Sequence, residues 1–117
     1  MPVSSSYRAF VLDQLGRVAG DIRARGMFGG VGIYSGELFF ALIDDDTLYL
    51  KVDDSTRPDF VAAGMGPFRP FGEEGEVMQY YELPADLLEG GEELGGWVGK
   101  AIEVARRAKQ KTRTKKR

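Results

Sequence analysis

Apolar residues recur near the start of the chain at helical spacing. Tyr7, Val11, Leu15, Val18 and Ile22 follow one another at intervals of 4, 4, 3 and 4, which places them on one face of a helix. Ser4, Ser5 and Ser6 precede this stripe. A serine hydroxyl there accepts a hydrogen bond from an unpartnered N–H of the first turn. Gly16 and Gly20 weaken the helix, and its end is expected near Gly20.

From Met27 the pattern changes. Met27-Phe28-Gly29-Gly30-Val31-Gly32-Ile33-Tyr34 reads as a glycine-rich lead into a strand, and Ser35-Gly36 as a hairpin turn. Glu37 to Ile43 and Thr47 to Val52 read as the next two strands, joined by a turn at Asp44-Asp45-Asp46. Turns this short imply antiparallel neighbours, because parallel strands need long crossovers. Asp53 to Thr56 reads as a cap for a short helix with Pro58 in its first turn and an apolar face of Phe60 and Val61. Phe68 to Phe71 is held extended by Pro67 and Pro70. After a turn at Gly72–Gly75, Glu76 to Leu83 reads as a strand, and Pro84 to Leu88 as a helical turn stopped at Gly90-Gly91. Leu94, Trp97, Val98, Ala101, Ile102 and Ala105 then mark the face of a last helix from about Glu92. The predicted order is α-β-β-β-α-β-β-α. The predicted class is α+β, an antiparallel sheet of about five strands with helices on one face.

Composition narrows the chemistry. The 117 residues fit one domain, and 16 of them are glycine, which argues for many turns. Cysteine and histidine are both absent. That excludes disulfides, thiol nucleophiles and Cys-ligated zinc, and removes the commonest general base near neutral pH. An enzyme would have to work with Asp, Glu, Lys, Tyr or Ser. No enzymatic activity, cofactor or metal is expected. The longest apolar run, Leu38 to Ile43, is far too short to span a bilayer, and Met1 to Ser6 has no signal-peptide pattern. A cytoplasmic protein without a membrane partner is expected.

Charge is unevenly spread. Eight of the 16 basic residues are Arg106, Arg107, Lys109, Lys111, Arg113, Lys115, Lys116 and Arg117, and no acid lies among them. All 18 acids share residues 1–105 with the other eight, leaving a body of about −10 and a tail of about +8. The domain is therefore expected to occupy residues 1–105, with 106–117 a disordered basic tail. These eight residues are the candidate nucleic-acid contacts, because Lys and Arg neutralise phosphates without reading sequence. The rival readings are a solubilising tail and one that folds back on the acidic body.

Three other features invite functional readings, each beside a structural one. Gly29-Gly30-Val31-Gly32 suggests a phosphate loop, but it follows a helix and precedes a strand, the reverse of that arrangement, so a turn or bulge is expected. Asp44-Asp45-Asp46 suggests metal, but the spaced acids, glycine and distal Glu of a calcium loop are missing, so a turn is expected. Asp53, Asp54 and Asp59 with Lys51 and Arg57 suggest acid–base chemistry, and capping with surface ion pairs explains them equally well. Tyr80 and Tyr81 are adjacent in a strand and face opposite ways, one toward the core and one available for stacking or contact. Trp97 is assigned to the core.

Several blocks occur together in order: Arg25-Gly26-Met27-Phe28-Gly29-Gly30-Val31-Gly32-Ile33-Tyr34, Leu48-Tyr49-Leu50-Lys51-Val52-Asp53 with Thr56-Arg57 and Phe60, then Gly64, Pro67-Phe68, Met78-Gln79-Tyr80-Tyr81-Glu82-Leu83-Pro84, Leu94 and Trp97. Over about residues 7–105 this resembles the TfoX (Sxy) N-terminal domain. The resemblance implies an α+β fold like that of secretion chaperones and the MmcQ/YjbR group. It also implies a link to competence regulation, where TfoX acts as a transcriptional coactivator with the cyclic-AMP receptor protein. It carries over no catalytic residues. Met27, Phe28, Gly29, Gly30, Gly32, Tyr34, Lys51, Tyr80 and Tyr81 are its motif positions here, without an assigned role. The full-length regulators have a second, helical domain where this chain has its basic run, as expected of a stand-alone member. The expected partner is a protein, with the transcription machinery and a second copy of the chain as candidates.

Overall fold

The computed structural model describes residues 3–27, 29–70, 72, 75 and 78–115, with side chains through Lys111. Helix α1 spans Ser5–Val18. Ser4 caps it, its hydroxyl accepting the Tyr7 N–H at 3.2 Å. Strands β1 (Ile22–Met27), β2 (Gly30–Ser35), β3 (Leu38–Asp44) and β4 (Thr47–Lys51) follow as a meander. Then come α2 (Arg57–Ala62), β5 (Tyr80–Glu82), a 3-10 turn at Ala85–Glu89, and α3 (Glu92–Lys115). The sheet is antiparallel throughout, in the order β1-β2-β3-β4-β5.

The α+β class and the five antiparallel strands agree with the sequence, but two elements sit elsewhere. Ile22 closes the apolar stripe of α1 in sequence yet opens β1, because Gly20 and Asp21 (φ 53°) break the helix first. Phe68 to Phe71 does not supply a named strand. Instead Pro67 forms an isolated bridge to Tyr81, and the Phe68 N–H donates to the Tyr80 carbonyl at 2.7 Å. Proline has no N–H to offer beyond that edge. Phe71 and most of the 72–77 stretch lie outside the described residues. In α2 only Phe60 is buried, and Val61 faces solvent.

The turns follow the sequence closely. Asp45 and Asp46 adopt φ 51° and 52°, both left-handed, as a two-residue hairpin with the twist of its strands requires. The Asp46 carboxylate also accepts the Ser4 N–H at 2.8 Å, tying the start of α1 to this turn.

One face of the sheet makes the core. Val31 and Ile33 pair with Ile43 and Ala41, which pair in turn with Leu48 and Leu50. These residues are buried against Val11 and Leu15 of α1, Phe60 of α2, and Leu94, Val98 and Ala101 of α3. The β2–β3 register shifts after Ile33, leaving Phe40 as an extra residue. Phe40 is fully buried in the core while Phe39 stays opposite Tyr34. Trp97 is half-buried, edge-on to Phe60 with ring centroids 4.7 Å apart.

α3 does not stop at its apolar stripe. It runs past Ala105 and carries residues 106–115 in the same helix. Residues 106–115 contain no glycine or proline, and Lys, Arg, Gln and Ala are good helix formers. No helix among the described residues is long and apolar enough to cross a membrane.

Candidate functional site

Strand alternation sends the neighbours of the core residues to the opposite face. Gly32 and Tyr34 flank Ile33, Lys51 follows Leu50, and Tyr80 precedes Tyr81. On this outer face the Tyr34 and Phe39 rings stack with centroids 5.0 Å apart, and Phe39 meets Tyr80 at 5.5 Å. The Lys51 ammonium lies 5.0 Å from the Tyr80 ring centroid, in cation–π reach. Met27 joins from β1: a Cβ on Gly32 would stand 2.5 Å from the Met27 methyl and 3.2 Å from the Phe39 ring. Gly32 is thus the gap that lets these side chains close over β2. Tyr49 and Phe68 extend the cluster, with centroids 4.9 Å apart.

Five of the nine motif positions, Met27, Gly32, Tyr34, Lys51 and Tyr80, therefore meet on one surface. Tyr34, Phe39, Met27 and Lys51 are half-buried, and Tyr80 is buried. Burial pushes the Tyr80 phenol well above its ordinary range, aided by Tyr34, and burial alone pulls the Lys51 ammonium down. Tyr81 points to the helical face and packs on Phe60 at 6.0 Å. Gly29 takes φ +79° in the β1–β2 turn, and Gly30 passes so close to β3 that a Cβ would lie 2.5 Å from the Ile43 carbonyl oxygen. Both are structural glycines, as expected of a turn. Phe28 lies outside the described residues. Phe39 carries the cluster but was not singled out from sequence; its signal is the Phe39-Phe40 pair, which alternation must split between two faces.

The acidic group behind β4 is a structural knot. The Asp53 carboxylate accepts the Ser55 N–H at 2.9 Å and the Ser55 hydroxyl at 2.6 Å on one oxygen, and Arg107 at 2.9 Å on the other. Arg107 and Ser55 together hold the Asp53 carboxyl well below its ordinary value, at about 2. Asp54 pairs with Arg57 at 2.8 Å, and Asp59 with Lys100 at 3.3 Å. These pairs are the structural reading of the constellation.

The basic residues divide. Arg106 pairs with Glu103 at 2.6 Å, Arg107 with Asp53, and Lys109 with Glu37 at 3.8 Å. Lys111 lines a cleft beside Arg107. Arg113 and Lys115 lie within α3. Lys116 and Arg117 lie outside the described residues. The start of the tail thus folds back on acids of the body.

Residues 13–105 match the sequence profile of the TfoX N-terminal domain, from within α1 through every strand to Ala105, the last buried residue described in α3. The chain belongs to the TfoX N-terminal domain family. No curated protein matches it. The TfoX N-terminal domain is not a known enzyme family. In this member the matched region takes in every residue of the outer aromatic cluster and Asp53 of the knot, while Arg107, Lys109 and Lys111 lie beyond it.

Proposed function

We propose that this TfoX N-terminal-type domain is a non-enzymatic regulatory module that acts by contact with a protein of the transcription machinery, through the outer face of its sheet. The observation that carries this reading is the convergence of Met27, Gly32, Tyr34, Lys51 and Tyr80 around Phe39 on the face turned away from the helices. A half-exposed aromatic cluster beside a cation has the composition of a contact hot spot. A photo-crosslinking residue at Tyr34 and, as control, at Phe10 on α1 tests it in cells. Adducts with a transcription component at Tyr34 but not Phe10 support the reading. Adducts confined to ribosomes or chaperones overturn it, and an adduct of twice the chain mass reassigns the partner to a second copy.

A second reading has its own observation. α3 carries Arg106, Arg107, Lys109, Lys111, Arg113 and Lys115 on one helix that runs beyond the matched region, an arrangement suited to nucleic-acid phosphates. Fluorescence anisotropy with duplex DNA across a salt series tests it. A slope near −0.9 per phosphate contact, reduced by about one unit in Lys111→Ala, supports it. Absence of binding at low salt removes it.

A further inference from the structure

Lys51 is a half-buried cation among the described residues, held by an aromatic ring and not by a carboxylate. Its ammonium is half-buried at the end of β4. Its described neighbour is the Tyr80 ring, and among the described residues no carboxylate lies within ion-pair distance. Desolvating an ammonium without a counter-charge is costly, and burial alone pulls its pKa down. A desolvated cation beside a cleft is a candidate functional group.

Lys51 is also one of the residues lining a cleft of about 640 Å³ between the C-terminal half of α3 and the turn after β4. Arg107 and Lys111 line the α3 side, and Val52 and Val104 form an apolar floor. Gln79 stands at the rim; its amide oxygen accepts Arg57 at 2.6 Å, which leaves its NH2 group as a donor. Asp53 is the acid of the lining, and Arg107 and Ser55 already occupy its oxygens. With Arg107 paired to Asp53, Lys51 and Lys111 leave the lining with an excess of two positive charges on a domain body that is strongly acidic.

We propose that this cleft binds a small phosphate-bearing anion, with Lys51 as its buried contact and Arg107 and Lys111 reaching it from α3. A tetrahedral dianion accepts bonds from several separated donors at once, which a lone carboxylate does less well. The volume exceeds that of free phosphate and falls in the range of small-ligand sites. The apolar floor and the Gln79 amide suit the organic part of a phosphomonoester. This site shares Lys51 with the sheet-face cluster, whereas Arg107 and Lys111 on α3 lie outside that surface, so Lys111→Met separates the two.

NMR of the full chain, observing the Lys51 and Lys111 side chains, tests the proposal with inorganic phosphate and with adenosine monophosphate as probes. Saturable shifts at both lysines, with the Lys51 titration midpoint moving up as phosphate supplies its counter-charge, are expected. Tighter binding of the monophosphate than of phosphate places the organic part in the cleft, and equal affinity assigns the site to the phosphate group alone. Lys51→Met should weaken binding at least about tenfold, a loss of about 1.4 kcal/mol. Lys111→Met, at an exposed position on α3, should weaken it less while leaving the fold intact. Shifts that chloride reproduces at equal ionic strength, or a Lys51 midpoint unmoved by phosphate, overturn the proposal.

Discussion

Two glycines two residues apart in β2 face different neighbours, and the difference predicts different costs of adding one methyl. At Gly30 the added carbon meets the Ile43 carbonyl, a backbone atom fixed in the β2–β3 ladder. At Gly32 it meets the end of the Met27 side chain, which can rotate away. Gly30→Ala should therefore cost about 2–3 kcal/mol, toward the upper end of overpacking effects, and Gly32→Ala about 1 kcal/mol. Urea denaturation of both variants checks this, and an equal cost would show that Met27 is as rigid as the backbone. Asp53 makes the second prediction at this scale. Its carboxyl is depressed from 3.8 to about 2 by Arg107 and Ser55, so its contribution is complete above the ordinary value. It is lost as pH falls through about 2. Stability of the native chain should fall between roughly pH 4 and 2 more steeply than that of Arg107→Gln, read from urea midpoints across that window. The carboxylate is partly solvated, so the difference will be modest.

At the scale of elements, the strands with clear alternation were legible and the one without it was not. β3 and β4 announce themselves because Ala41, Ile43, Leu48 and Leu50 all face the helices, at alternate positions between polar turns. β1 reads Ile-Arg-Ala-Arg-Gly-Met. Its inward positions are Ile22, Ala24 and a glycine, and it adjoins a helical stripe that happens to stay in phase as far as Ile22. Only pairing with β2 along six register partners makes it a strand, and that is tertiary information. The end of α3 was misread for a related reason: its apolar stripe ends at Ala105, but the helix does not need burial to continue through Lys and Arg. Across the gap to the body it is fastened by Arg107 on Asp53 and Lys109 on Glu37. Asp53→Ala should therefore speed amide hydrogen exchange over residues 107–111 while leaving residues 94–104 protected. Leu94→Ala should instead speed exchange along the whole described length of α3. It empties a fully buried position under the first half of α3 and should cost about 2–5 kcal/mol in global stability.

At the scale of the molecule, one face of the sheet carries the core and the other the proposed contact surface, and that division is what sequence alone could only half reveal. Family resemblance marked Met27, Gly32, Tyr34, Lys51 and Tyr80 as positions, but nothing in a linear reading says they touch. The β2–β3 bulge decides it, by sending Phe40 inward and leaving Phe39 between Tyr34 and Tyr80. A substitution on the outer face should therefore separate two measurements that a core substitution moves together. Tyr34→Ala removes one stacked, half-exposed ring and should cost about 1 kcal/mol of stability, in the range of a single aromatic pair. On the proposed contact it should cost at least about 2 kcal/mol, roughly thirtyfold in affinity, as a hot-spot residue does. Leu50→Ala, on the buried face, should lose about 2–5 kcal/mol of stability, while the fraction that remains folded keeps its partner affinity. Thermal denaturation with affinity measured against the crosslinked partner gives both numbers for each variant. Partner affinity unchanged in Tyr34→Ala would mean that the cluster is a second, smaller core joining β1 and β5 to the strands between them, and that contact is made elsewhere.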